Sequence, residues 1–274
     1  MSSEEESASG DHSDDSDSTS AKREEPKRKK SKLAATPLEV AHHDHGSKLS
    51  NKKQIQHPVI VLLDQASLET VKNRQNIYEL LNCDDHRELC RRKLRRDPNE
   101  FRPDILHSEL LSLLDSPLNK AGLLKIYIQT KKRVLIDVNP SIRIPRTFKR
   151  FSGLMVQLLH KMKIRAGTES TTLLKVIKNP FSQYLPAGTR CYGMSCKGKL
   201  YSPLALIQSV VATSAPEDMT EPVCFIVGAM STGHITLDDH PYMEHMFSIS
   251  EYPLAGATAL SRIMGGIEHQ WGIV

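Results

Sequence analysis

The chain is poor in cysteine, and its five cysteines (Cys83, Cys90, Cys191, Cys196 and Cys224) are odd in number and never form a CxxC pair. Neither a disulfide framework nor a zinc site is expected, and reduced thiols fit a cytosolic or nuclear compartment. No stretch approaches the roughly 18 uncharged apolar residues that a membrane helix needs. The first thirty residues are acidic and Ser-rich, so no secretory leader is expected. Catalytic signatures are also missing: GxGxxG, the phosphate-loop GxxxxGK(S/T), HExxH and GxSxG do not occur. Their absence removes support from the common dinucleotide, phosphate-loop, metalloprotease and serine-hydrolase readings.

What is present is a globular composition, 39% apolar and 25% charged over 274 residues, with an uneven distribution of charge. Residues 1–57 hold 11 acids and 10 bases and almost no periodic apolar pattern. Such a segment cannot bury enough surface to offset chain entropy, and it is predicted to be a disordered tail. Within it, Glu4 to Asp17 is an acidic serine tract, and Lys22 to Lys32 is a basic cluster of the nuclear-import type. His42, His43, Asp44 and His45 lie together there without the surrounding groups that would orient them on a metal, so no metal site is assigned. Between Asp85 and Arg150 there are sixteen Lys or Arg against eight Asp or Glu. A surplus concentrated in this way points to a polyanionic partner; a solvated face of mixed charge is the plainer alternative.

The folded domain is expected over 58–274. Val59 to Leu63 is a continuous apolar run, as in a strand buried on both faces. Further strands are predicted at 123–129, 133–138, 173–177 and 223–227, and helices at 66–81, 105–118, 147–162 and 254–271. Alternation of strands with helices predicts an α/β fold with a mostly parallel sheet flanked by helices. In the 147–162 helix, Phe148, Phe151, Leu154, Met155, Leu158, Leu159 and Met162 form one buried stripe, while Arg146 and Arg150, four apart, share another face.

Two constellations carry chemistry. Gly228 to Gly233 directly follows the strand 223–227, and Ser250 to Gly256 follows the apolar run 246–249. Beyond the carboxyl ends of parallel strands, glycines let backbone amides approach a ligand; they also serve in plain tight turns, and both readings stay open. The second set is Arg102-Pro103-Asp104 with Arg143-Ile144-Pro145-Arg146 and Arg150. Arginine's planar fork grips phosphate in a bidentate way, and an aspartate two residues away can lock the fork. Asp115, before Ser116-Pro117, either caps the next turn or presents a carboxylate to a ligand.

The strings ArgProAspIle (102–105), LeuLeuAspSerProLeuAsn (113–119), ArgIleProArgThrPheLysArgPhe (143–151), GlyLeuMetValGlnLeuLeuHisLys (153–161) and the closing Tyr-Pro-Leu turn (252–254) closely resemble the pseudouridine N1-specific methyltransferases of eukaryotic ribosome biogenesis. The resemblance covers essentially all of 58–274. It implies a SPOUT-type methyltransferase with a C-terminal trefoil knot, a homodimer, and S-adenosylmethionine as cofactor. Cofactor contacts are then implied at Ser202, Gly228, Gly233, Ile249, Ser250, Glu251, Tyr252, Pro253 and Leu254, with Glu251 standing where relatives usually carry Asn. Ribosomal RNA contacts are implied at Arg102, Arg143, Arg146 and Arg150, with Asp104 holding an arginine, and Asp115 is the expected proton acceptor. Small-subunit ribosomal RNA and pre-ribosomal proteins are the implied partners, no membrane is expected, and nucleus and nucleolus are the implied locations. Two other readings remain: a non-catalytic pre-ribosomal RNA-binding assembly factor, and a transfer-RNA methyltransferase of the same fold.

Overall fold

A computed structural model describes residues 57–167, 171–211 and 215–274. The expected tail, with its acidic tract, basic cluster and His42–His45 group, lies outside them. The apolar run forms β1 (Val59–Ala66), and it is buried because it has a parallel neighbour on each side, β4 (Leu124–Thr130) and β9 (Val223–Gly228). Outward from β9 come β8 (Arg190–Leu200) and β10 (Met243–Ser248), also parallel, which completes a five-stranded parallel region. Outward from β4, the sheet continues through β5 (Leu135–Val138), β7 (Thr172–Ile177) and β6 (Lys163–Arg165), each antiparallel to its neighbour. The order is β10-β8-β9-β1-β4-β5-β7-β6.

The sheet is mostly parallel, as alternating elements predict, and its antiparallel end has a simple cause. The β4–β5 link is a tight turn in which the Arg133 N–H bonds the Thr130 carbonyl, far too short for a parallel crossover. One expectation is corrected over 66–81, where the spacing of Leu68, Val71, Leu80 and Leu81 predicts a helix. This segment instead forms a small hairpin of β2 (Thr70–Lys72) and β3 (Tyr78–Leu80). The Asn73 side-chain oxygen accepts from the N–H groups of Gln75 and Ile77, and Asn76 adopts a left-handed φ of 63°, so turn chemistry overrides the helical spacing.

Helices cover one face of the sheet. A three-residue turn, α1 (Arg87–Leu89), precedes α2 (Pro103–Asp115), which begins on a proline suited to the first helical position. Ser116 ends α2 and caps α3 (Pro117–Lys120), its Oγ accepting from the Asn119 N–H. Next come α4 (Phe148–Lys161), α5 (Pro203–Val210) and α6 (Gly256–Trp271). Leu106, Leu110 and Leu113 of α2, Phe151, Met155 and Leu158 of α4, and Ile263 and Ile267 of α6 close over Val59, Val61 and Leu63 in the main core. Truncating one of these large buried side chains, Phe151 for example, costs about 3–5 kcal/mol. The opposite face, with Ile60, Leu62, Cys224 and Ile226, is covered by loop residues such as Phe181, Ile235 and Tyr242. This asymmetry leaves the carboxyl edge of the parallel strands free to carry a site.

Candidate active site

The parallel strands β8, β9 and β10 end on the same edge, and the segments that leave β9 and β10 wall a cleft of about 540 Å³. Gly228, the last residue of β9, and Gly233 line it; the φ of +100° at Gly233 is open to glycine at no steric cost. After β10, Ser248 donates through Oγ to the Ser250 carbonyl (2.8 Å), and the Tyr252 N–H donates to the Ser250 Oγ (3.0 Å). These bonds shape a turn that aims Ile249, Pro253 and Leu254 into the cleft, with Tyr252, 75% exposed, at its lip. The first turn of α6 forms one wall through Gly256 and Ala259, and the first turns of α2 form the facing one through Ile105 and Ser108.

Arg102 and Asp104 stand at the same cleft. The guanidinium forks onto the carboxylate, Nε to Oδ1 at 2.8 Å and Nη2 to Oδ2 at 2.7 Å, and this hydrogen bonding holds Arg102 still more firmly in its charged form. The 142–146 segment shows an alternating design: Ile142 and Ile144 are buried while Arg143 and Arg146 are exposed. His107 donates through Nε2 to the Pro145 carbonyl (2.7 Å) and stacks on Phe151, which ties this segment to α2 and α4. Arg146 pairs through Nη2 with Asp115 Oδ2 at 2.8 Å, and Arg150 is exposed one turn along α4. Hydrophobic anchors thus hold this segment with its arginines exposed; of the four expected RNA-binding arginines, Arg102 lines the cleft, while Arg146 stands with Asp115 at the other end of α2.

A family model described as EMG1/NEP1 methyltransferase matches residues 61–268. The chain belongs to the EMG1/NEP1 methyltransferase family. It is 51% identical over 217 residues to the ribosomal RNA small subunit methyltransferase NEP1 of Drosophila melanogaster, covering 79% of this chain and 83% of the relative. It is 46% identical over 229 residues to the human protein of the same name, covering 84% and 86%. Among solved structures, Archaeoglobus fulgidus Nep1 bound to S-adenosylhomocysteine superposes with a TM-score of 0.62 at 22% identity, covering 79% of this chain and 100% of that one. That likeness shows a Nep1-type α/β fold.

Within this EMG1/NEP1 chain, the expected cofactor residues divide. Gly228, Gly233, Ile249, Ser250, Tyr252, Pro253 and Leu254 line the cleft. Glu251 is exposed and does not, because the turn directs its side chain outward. Ser202 caps α5, its Oγ accepting from the Ala205 N–H at 3.2 Å, and is not among the residues that line the cleft. Asp115 stands at the far end of α2 from Asp104, about 16 Å along the helix axis, and is engaged by Arg146. Sequence reasoning missed Met194, Ser195 and Cys196 of β8, whose segment carried no recognisable pattern, and Glu109, the acid beneath Gly256. A signal for Glu109 existed: an acid three residues after Leu106 and four before Leu113, on the apolar stripe of α2.

Proposed function

We propose that this protein transfers the methyl group of S-adenosylmethionine to N1 of a pseudouridine in small-subunit ribosomal RNA, as a homodimer working among pre-ribosomal proteins in the nucleolus. The carrying observation is that the Arg102–Asp104 fork opens onto the same cleft as the glycine-bearing strand ends, so a gripped RNA segment and a small ligand meet at one point. Family membership and the rRNA methyltransferase names of the relatives support the reaction and the substrate. The donor set fits the cofactor: a volume within the roughly 300–1,000 Å³ of small-molecule sites, apolar walls from Ile249, Leu254 and Met230, and backbone exposed at Gly228 and Gly233. The C-terminal knot belongs to the same reading; its support is that the chain after β9 crosses to the far side of β8 to form β10, and α6 then returns to pack on α2 and α5.

Bound S-adenosylmethionine supplies an electrophilic methyl on a positively charged sulfur. The chain's residues do the rest by position. Arg102, locked by Asp104, and Arg143, Arg146 and Arg150 hold phosphates of a splayed RNA strand, so that the base leaves its stack and enters the cleft mouth. The turn 249–254 and the α6 N-terminus exclude water and fix the approach line; such alignment contributes about 7–11 kcal/mol in favourable cases. Pseudouridine N1–H must lose a proton as the nitrogen attacks. We assign its acceptance to Asp115, as the resemblance implies; with Asp115 remote from the cleft of its own protomer, the assignment requires that it reach the cleft of a second copy.

Methyl transfer from labelled S-adenosylmethionine to a ribosomal hairpin containing pseudouridine, with the uridine hairpin as control, tests the reading. Transfer to the pseudouridine hairpin alone is expected; tight binding of RNA and cofactor without transfer would favour the assembly-factor reading. Mixing an Asp115→Asn chain with an Arg102→Ala chain should restore part of the activity that each lacks alone. If Asp115→Asn leaves transfer at the wild-type rate, Asp115 is not the acceptor.

A further inference from the structure

Glu109 is fully buried at 0% exposure, and neither carboxyl oxygen has a hydrogen-bond partner. It lies between two walls of the cleft: Ile105 and Ser108 of its own helix line it, as do Gly256 and Ala259 of α6. A Cβ added at Gly256 would stand 2.0 Å from Glu109 Oε1, so the carboxyl occupies the place that a side chain at 256 would take. Burial pushes this acid up to about 9, leaving it neutral at pH 7. Desolvation by burial is the cause of that shift, and the charged and titratable groups of the elements around it have partners of their own or face solvent. On α2, Asp104 holds Arg102, His107 holds the Pro145 carbonyl and Asp115 holds Arg146; on α3, Lys120 faces Asp115. On α4, His160 packs on Tyr78, and Lys149 and Arg150 are exposed. On α6, Glu268 accepts from the Leu118 N–H, and Arg262 and His269 are exposed; on β1, Asp64 pairs with His240.

A methyltransferase must hold its donor and release a product that differs by one methyl and one unit of charge. A methyl alone discriminates only about 10–200-fold, whereas a buried ionisable group beside the site senses charge in a weakly screening environment. The N-terminus of α6, directly over the carboxyl, also favours its ionised form. We propose that Glu109 is a specificity-determining residue that reads the sulfonium charge of the methyl donor from beneath the cleft: neutral when the cleft is empty, it gives its proton to solvent when the donor occupies the cleft and regains one once the thioether product has formed. This inference rests on the cofactor reading above.

Calorimetric titration of the full-length chain with S-adenosylmethionine and with S-adenosylhomocysteine, at pH 7.5 in two buffers of different ionisation enthalpy, counts the protons released. The amino acid groups are common to both ligands, and titration of each free ligand corrects for the donor's more acidic ammonium, so the corrected difference isolates the effect of the sulfonium on the protein. About one proton released with the donor and none with the product is expected, along with donor affinity that tightens by close to tenfold per pH unit between 7 and 8.5. Glu109→Gln, which keeps the shape but cannot ionise, should abolish the release and flatten the profile. Equal release for both ligands, or release unchanged in Glu109→Gln, overturns the proposal. The wild-type proton count stands even if the variant folds poorly. Binding without release removes this inference alone; binding of neither ligand removes the cofactor reading with it.

Discussion

Replacing Gly198 by alanine separates close packing from mere preference for glycine. In β8, Gly198 passes against the backbone of β10, where an added Cβ would lie 2.5 Å from both Cα and the carbonyl carbon of Phe247 and 2.6 Å from its nitrogen. Carbon atoms in contact prefer about 3.5–4.0 Å, so one strand must move by at least about 1 Å. Backbone, unlike a side-chain tip, cannot rotate away, and the pairing beside it is already irregular between Met246 and Phe247. The cost should therefore fall at the upper end of overpacking, about 3 kcal/mol, which is about 6–12 °C in melting temperature for a domain of this size. Phe247, Ser248 and Ile249 line the cleft, so S-adenosylhomocysteine binding should weaken in parallel. Gly153→Ala is the control: it is exposed on α4 with nothing within 4 Å of the added Cβ, and should stabilise by up to about 1 kcal/mol. Urea unfolding of the three proteins measures both. If Gly198→Ala shifts the midpoint by no more than Gly153→Ala does, the strand crossing is looser than described and the argument fails.

Asp104→Ala should free the Arg102 fork and weaken hairpin binding several-fold while leaving S-adenosylhomocysteine affinity near wild type, as fluorescence anisotropy and calorimetry would show. Arg146→Ala should lower the salt-dependence slope of RNA binding by about one; an unchanged slope would mean that Arg146 serves only its ion pair with Asp115. Glu109 also makes a pH prediction. Its folded pKa, about 9, lies above its unfolded value, so its contribution to stability is complete below about pH 4.5 and is lost progressively up to about pH 9. Denaturation midpoints of the wild type should fall across that window relative to Glu109→Gln; parallel curves would show that the carboxyl is not held neutral. Finally, a chain lacking residues 1–50 should transfer methyl groups normally and accumulate less in the nucleus; lost transfer would assign the tail a part in catalysis.

Local pattern determined a good deal. The uninterrupted run 59–63 reports a strand covered on both faces, and the helix expected over 147–162 is observed as α4 within a residue at each end. Its stripe is buried at Phe151, Met155 and Leu158, but Met162, expected in the same stripe, is the left-handed cap residue and is exposed. Glycines and a proline turn after apolar runs mark the strand ends where the cleft forms, and an arginine two residues from an aspartate encodes a fork that needs no distant partner. Those features are legible because their physics acts within a few residues.

What tertiary structure decided involves partners far apart in sequence. The three antiparallel strands follow from which edge each connection can reach. Ser202, a plausible ligand residue by resemblance, caps α5. Asp115 has its role constrained by Arg146, thirty-one positions later, and Glu109 acquires its neutrality only because α6 brings Gly256 against it from the other end of the chain. A side chain's type is written in the sequence, but its charge state and duty are set by whatever folding places within a few ångströms of it.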